Sequence, residues 1–210
     1  MLPNGLQNPG AKSPISYSKV LVVEGESAFQ FFKALLRHLR LLDEIEIRNS
    51  GGVNEFSIYL RLLLSTPGFD KVISLGIVRD GENDAHAQFQ SICQNLQQVG
   101  LSVPRQPATL VSGTPNVSIF ILPDCANPGM LETLCLQSVE QNPAMLCVEE
   151  YIQCLQQSDI VPGNLPKARL RALLASSPRP ELLLGQAAHA GFWPWDSPVF
   201  DALKQFLLAL

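Results

Sequence analysis

Three short apolar runs frame this chain, and each closes on an acid. Residues 19–24 read Lys-Val-Leu-Val-Val-Glu, residues 71–80 read KVISLGIVRD, and residues 117–122 complete a third run just before Pro123 and Asp124. Unbroken runs of this length predict strands buried on both faces, as in a parallel sheet covered by helices. Residues 44–49 instead alternate apolar and charged positions, which predicts a half-exposed strand near a sheet edge. Between the strands the period lengthens. Phe31, Leu35, Leu36 and Leu39 predict a helix running to about Leu42, entered through a turn at Gly25 and capped by Glu26 or Ser27. A second helix is expected over residues 54–65 after Gly51 and Gly52. A third opens at Asp84, carries Phe89, Ile92, Cys93 and Leu96 on one face, and stops at Gly100. Beyond Pro123 the pattern is helical throughout, over about 130–138, 144–156, 166–175, 183–189 and 199–210.

Strands alternating with helices give an α/β fold with a mainly parallel sheet flanked by helices. The all-helical C-terminal third packs on that sheet or forms a small cap. Residues 1–18, rich in Pro, Gly, Asn and Ser, are expected to form a flexible arm, and 19–210 a single domain. Composition agrees with a packed chain, since 46% of residues are hydrophobic and 16% charged. No apolar run approaches the roughly 20 residues of a membrane helix, and the amino terminus lacks the apolar centre of a signal peptide. A cytoplasmic protein without membrane association is the expectation. The five cysteines form no metal-binding pattern and are expected to be reduced and mostly buried. A net charge of −4 supplies no overall attraction to phosphates, so any nucleic-acid contact needs a local patch or divalent ions.

In open parallel sheets, ligands bind beyond the carboxyl ends of the strands. The three buried runs would deliver Glu24, Asp80 and Asp124 to that edge. Glu82, two residues past Asp80, would share its side if the chain stays extended. Glu132 follows near a helix start. Crowded carboxylates repel unless protons or cations neutralise them, and an oxygen-only set suits magnesium or manganese. The plainer alternative is that such acids only cap the next helix. Asp84 is expected to do so, while Asp80 and Glu82 point toward Glu24. In a purely acidic cluster, Glu24→Gln should leave the metal-free protein as stable as before, or slightly more so.

Val23-Glu24-Gly25-Glu26 after the first strand, with Asp80-Gly81-Glu82 after a later one, resembles the Toprim signature of topoisomerases, primases and overcoming-lysogenization-defect nucleases. A closer likeness is to a small bacterial Toprim-related family with a VEG segment, a GIV-x-D-x-[DE] strand, a PD segment followed by GMLE, and a later helix near Pro166-Lys167-Ala168. The resemblance runs from about residue 19 to the end. It implies a Toprim-like fold with Glu24 as general acid or base and Glu132 as a second catalytic acid. Asp80, Glu82 and Asp124 would be the metal ligands, Lys167 a phosphate contact, and magnesium or manganese the cofactor. The function implied is a magnesium-dependent phosphodiesterase or nuclease that meets nucleic acid through its metal. The alternative is a non-catalytic Toprim-like module that binds a protein or nucleotide partner. Two departures bear on this choice. Glu82 is one methylene longer than the usual second aspartate, and Ala28 stands where many Toprim sequences carry an acid.

Other signals are weaker. Residues 5–13 nearly spell a phosphate-binding loop, but Ala11 separates the glycine from the lysine and no strand precedes them. The aromatic run Phe192-Trp193-Pro194-Trp195 fits packing of the terminal helix better than base stacking.

Overall fold

Lys19, Ile45, Ser74 and Asn116 stand abreast at the start of four parallel strands. The computed structural model describes residues 13–51 and 56–210. The strands are β1 (Lys19–Val23), β2 (Ile45–Asn49), β3 (Ser74–Asp80) and β4 (Asn116–Leu122), in the spatial order β2-β1-β3-β4. Helices α1 (Gly25–His38), α2 (Phe56–Leu64) and α3 (Ala85–Gln98) alternate with them. After β4 come α4 (Leu131–Ser138), α5 (Ala144–Gln157), α6 (Leu165–Ala175), α7 (Leu184–His189) and α8 (Asp201–Leu208). Because all four strands run the same way and start level, their carboxyl ends form one edge.

Side-chain alternation divides the core into two layers. Val20, Val22, Leu75, Ile77, Val117, Ile119 and Ile121 face α2 and α3. Leu21, Val23, Val78, Phe120 and Leu122 face α1 together with the C-terminal helices. The helical third therefore packs on the sheet. Phe206 of α8 meets Phe120 of β4 with ring centroids 5.4 Å apart. Gly76 leaves room for Leu210, whose Cδ1 would lie 2.6 Å from a Cβ at that position. The terminal aromatics serve packing. Trp193 is buried and donates from Nε1 to the Leu184 carbonyl at 3.2 Å, and Trp195 stacks edge-on to Phe31 at 5.2 Å.

The elements follow their expected order with shifted ends. The first helix stops at His38, and its N-cap position is Glu24, whose side chain makes no capping bond. The run 71–80 yields a strand only from Ser74, because Phe69–Lys71 form a 3-10 turn. β2 is an edge strand, as its alternation predicts.

At the amino end, residues 13–18 are tied down. Ile15 is buried and donates from its N–H to the Pro67 carbonyl at 2.8 Å, while Arg48 donates to the carbonyls of Ser13 and Pro14. The remainder of the expected arm, the loop-like 5–12 stretch and the start of the second helix at Asn54 lie outside the described residues. Of the five thiols, Cys93 and Cys135 are buried, Cys125 is partly so, and Cys147 and Cys154 on α5 are exposed. Among the described residues, no helix is long and apolar enough to cross a membrane.

Candidate functional site

Beyond the carboxyl ends of β1 and β3 lies a cavity of about 530 Å³. Glu24, Asp80, Glu82, Glu132 and Lys167 all line it, so five of the six side chains singled out from the sequence come together. Asp124 is the one left outside. Its Oδ1 accepts from the N–H groups of Ala126 and Asn127 and its Oδ2 from the Asn127 amide, at 2.7–3.0 Å. Those bonds outweigh its partial burial and hold its pKa below the ordinary value. Its carboxylate shapes a local turn and neither joins the pocket nor caps the next helix, whose N-cap position is Met130.

A weld between two loops builds the floor. Gly81 donates to the Leu122 carbonyl at 2.9 Å, and Glu82 and Gly129 exchange two backbone hydrogen bonds of 2.8 Å. Asp80 Oδ1 accepts from the Leu131 N–H at 2.9 Å, at the first residue of α4. A side chain at Gly81 would put its Cβ 2.6 Å from the Leu122 carbonyl oxygen, so the close approach requires glycine. Glu82 adopts φ +49°, a left-handed conformation costly for a non-glycine residue and held here by the bridge to Gly129. It reaches the cavity through that bend. The extended spacing assumed from sequence is absent at Glu82, although the side chain arrives where that spacing would have put it. Asp84 turns away and caps α3, accepting from the Ala87 N–H at 2.9 Å.

Electrostatics set Asp80 apart. Burial, first of all, pushes its pKa up to about 7, and the neighbouring Glu132, Glu24 and Glu82 push the same way, against the opposing Leu131 hydrogen bond. Near neutral pH this carboxyl is therefore only partly ionised. Glu24 is also raised, chiefly by burial, but Arg79 opposes the rise. Arg79 Nε lies 2.6 Å from Glu24 Oε2, a close ionic contact. Arg79 and Asp80 are consecutive on β3 and so project to opposite faces of the sheet. Glu24, at the strand tip, touches both the cavity and the arginine behind it. Asn49 steadies this corner by accepting from the N–H groups of Gly25 and Gly51, each at 2.9 Å.

Helical segments bring cations to the lining as well. Lys167 and Arg171 project from α6, whose start is capped by Asn164. Gly25, Ser27 and Ala28 bring the first turn of α1, which carries no side-chain cap. Leu183 and Leu184 close the rim as α7 docks on α1. This docking depends on Gly185, where a Cβ would lie 2.5 Å from Gln30 Cβ.

Arg79, Asn49 and Arg171 escaped the sequence reading. Arg79 had a visible signal, since a lone charge inside a buried apolar strand must find a partner. Asn49 and Arg171 had none, because their roles depend on which segments meet across the fold.

The donors present suit a hard cation in chemistry: carboxylate oxygens around a buried acid that is costly to ionise. Among the described residues no three such groups converge as a ready-made cage. Magnesium does not need one, since it keeps several waters and is held by one or two carboxylates plus phosphate oxygens.

No curated protein and no solved structure matches the chain. Residues 18–210 match the family model described as a protein of unknown function, DUF3226, and the chain belongs to that family.

Proposed function

We propose that the acidic pocket binds magnesium or manganese through Asp80 with Glu82 and Glu132, and acts there on a phosphodiester as a Toprim-like nuclease. The observation that carries this reading is Asp80, a carboxyl raised to about 7 by burial and by three acidic neighbours. Ionising such a group costs free energy that a bound cation returns. The cationic part of the lining supports the phosphate half of the reading. Lys167 and Arg171 are side-chain cations, and the uncapped first turn of α1 offers backbone N–H groups of the kind that receive anions. A divalent ion bound there supplies charge neutralisation to phosphate oxygens and acidifies water. Glu24, oriented by Arg79, is then the general acid or base; Lys167 holds the phosphate, and Arg171 adds a second contact. Glu132, at the start of α4, lines the pocket near Asp80 and is the third carboxylate for the ion.

One observation favours a second reading, a non-catalytic module that binds a nucleotide or protein partner. An oxygen of Glu24 is already engaged by Arg79, which weakens it as a base. Manganese titration by calorimetry, followed by incubation with DNA and RNA, separates the two. Binding lost in Asp80→Asn, with manganese-dependent cleavage lost in Glu24→Gln, supports the nuclease. Binding without cleavage supports the module, and no binding by the parent removes the metal site altogether.

A further inference from the structure

On the opposite face of the sheet from the acidic pocket, Arg79 is a buried cation that meets Glu24 through its Nε edge only. Its side chain is 5% exposed. The flat of the guanidinium lies over the Phe56 ring, 4.8 Å from its centroid, and the Nε edge meets Glu24. Among the described residues its Nη groups make no hydrogen bond, and Nε has only the Glu24 carboxylate beside it. Nε is fully enclosed, so solvent reaches the group only through its Nη end. Burying a guanidinium this way is costly unless its donors are satisfied. The cation–π contact occupies the face of the group and leaves the in-plane Nη donors available.

Arg79 lines a separate cavity of about 180 Å³ between α2 and α3. Its other walls are Phe56, Ser57, Gln88, Ser91, Ile92 and Asn95. Positions 88, 91, 92 and 95 form one stripe of α3 by helical spacing, and three of these four are hydroxyl or amide side chains. Ser57 of α2 adds another hydroxyl. Among the described residues no carboxylate lines the cavity, and Ser91 stands exposed at its edge.

We propose that this cavity is a binding site for a small tetrahedral oxyanion of the inorganic phosphate type, held by the Nη edge of Arg79 with Ser57, Gln88 and Ser91. A planar guanidinium matches two oxyanion oxygens at once, and neutral hydroxyl and amide donors complete the shell without adding charge. The cavity is too small for a nucleotide, which limits the ligand to a free ion. The site is independent of the metal reading of the other pocket. Through Arg79 it is nevertheless linked to Glu24, because an anion on the Nη edge competes for the charge that holds the Glu24 carboxylate.

The test is the melting temperature of the full chain in rising inorganic phosphate, with sodium chloride at matched ionic strength as the reference and a chelator present. Replacing Arg79 itself risks unfolding the protein, so the informative variant is Ser91→Asp, which places a negative charge at the edge of the cavity on an exposed helical position. Lys167→Gln tests the alternative location in the acidic pocket. The expected result is a phosphate-dependent rise in the parent and in Lys167→Gln, with affinity reduced about tenfold or more in Ser91→Asp by charge repulsion. A parent response no larger than that to chloride overturns the proposal, as does a response that survives Ser91→Asp or one that is lost in Lys167→Gln.

Discussion

Replacing Asp80 by asparagine should stabilise the metal-free protein, and by an amount that grows with pH. The folded state raises the Asp80 pKa from 3.8 to about 7. The folded protein therefore holds this proton more tightly than the unfolded chain does. The contribution is fully present below about pH 4, declines as pH rises toward 7, and is gone above it. Three pKa units correspond to about 4 kcal/mol at pH 8, since each unit is worth about 1.4 kcal/mol. Asparagine keeps the shape and can still accept from the Leu131 N–H, but its amide N–H groups need partners, which cost about 1–2 kcal/mol if unmet. A net gain of roughly 2 kcal/mol at pH 8 is expected, shrinking to nothing or a small loss at pH 4.5. Urea unfolding of parent and variant at both pH values, with chelator present, measures this. Equal effects at the two pH values, or a variant less stable at pH 8, would show that the Asp80 carboxyl is not held protonated by its surroundings and refute the reasoning.

Glu24→Gln should destabilise by about 1–3 kcal/mol in the same assay, because it leaves the buried Arg79 without its ionic partner. An unchanged or more stable variant would mean that the pair contributes nothing. Gly81→Ala should lower stability by about 2 kcal/mol or more, since its Cβ would meet the Leu122 carbonyl oxygen at 2.6 Å. A melting temperature within a degree of the parent would show that the loop weld yields easily.

The expectation for Glu24→Gln differs from the one that acids alone suggest. A cluster of carboxylates read from sequence predicts relief when one charge is removed. The structure places Arg79 behind Glu24, and the sign of the effect follows the cation.

Much was legible along the chain because the signals are local. Short unbroken apolar runs bounded by turn residues read as strands buried on both faces, and their alternation with helical patterns gives the order of elements and the parallel sheet. In a parallel sheet with level starts, residues that close those runs must share an edge, which brings Glu24 and Asp80 together. Asp84 caps its helix because an aspartate at that position finds a free N–H three residues on. Tertiary structure decided the rest. Asp124 ends its strand as the others do, yet Asn127 and the turn take both its oxygens. Glu82 reaches the pocket by a left-handed bend that depends on Gly129 across the gap. The pocket acquires its cations only when α6 folds back over the strand ends, more than forty residues after β4. The charge state of Asp80 belongs to the folded protein as well. Its proton is held by exclusion of water and by Glu24 and Glu132 from two distant segments beside the nearby Glu82, and in the unfolded chain neither the burial nor those distant charges are present.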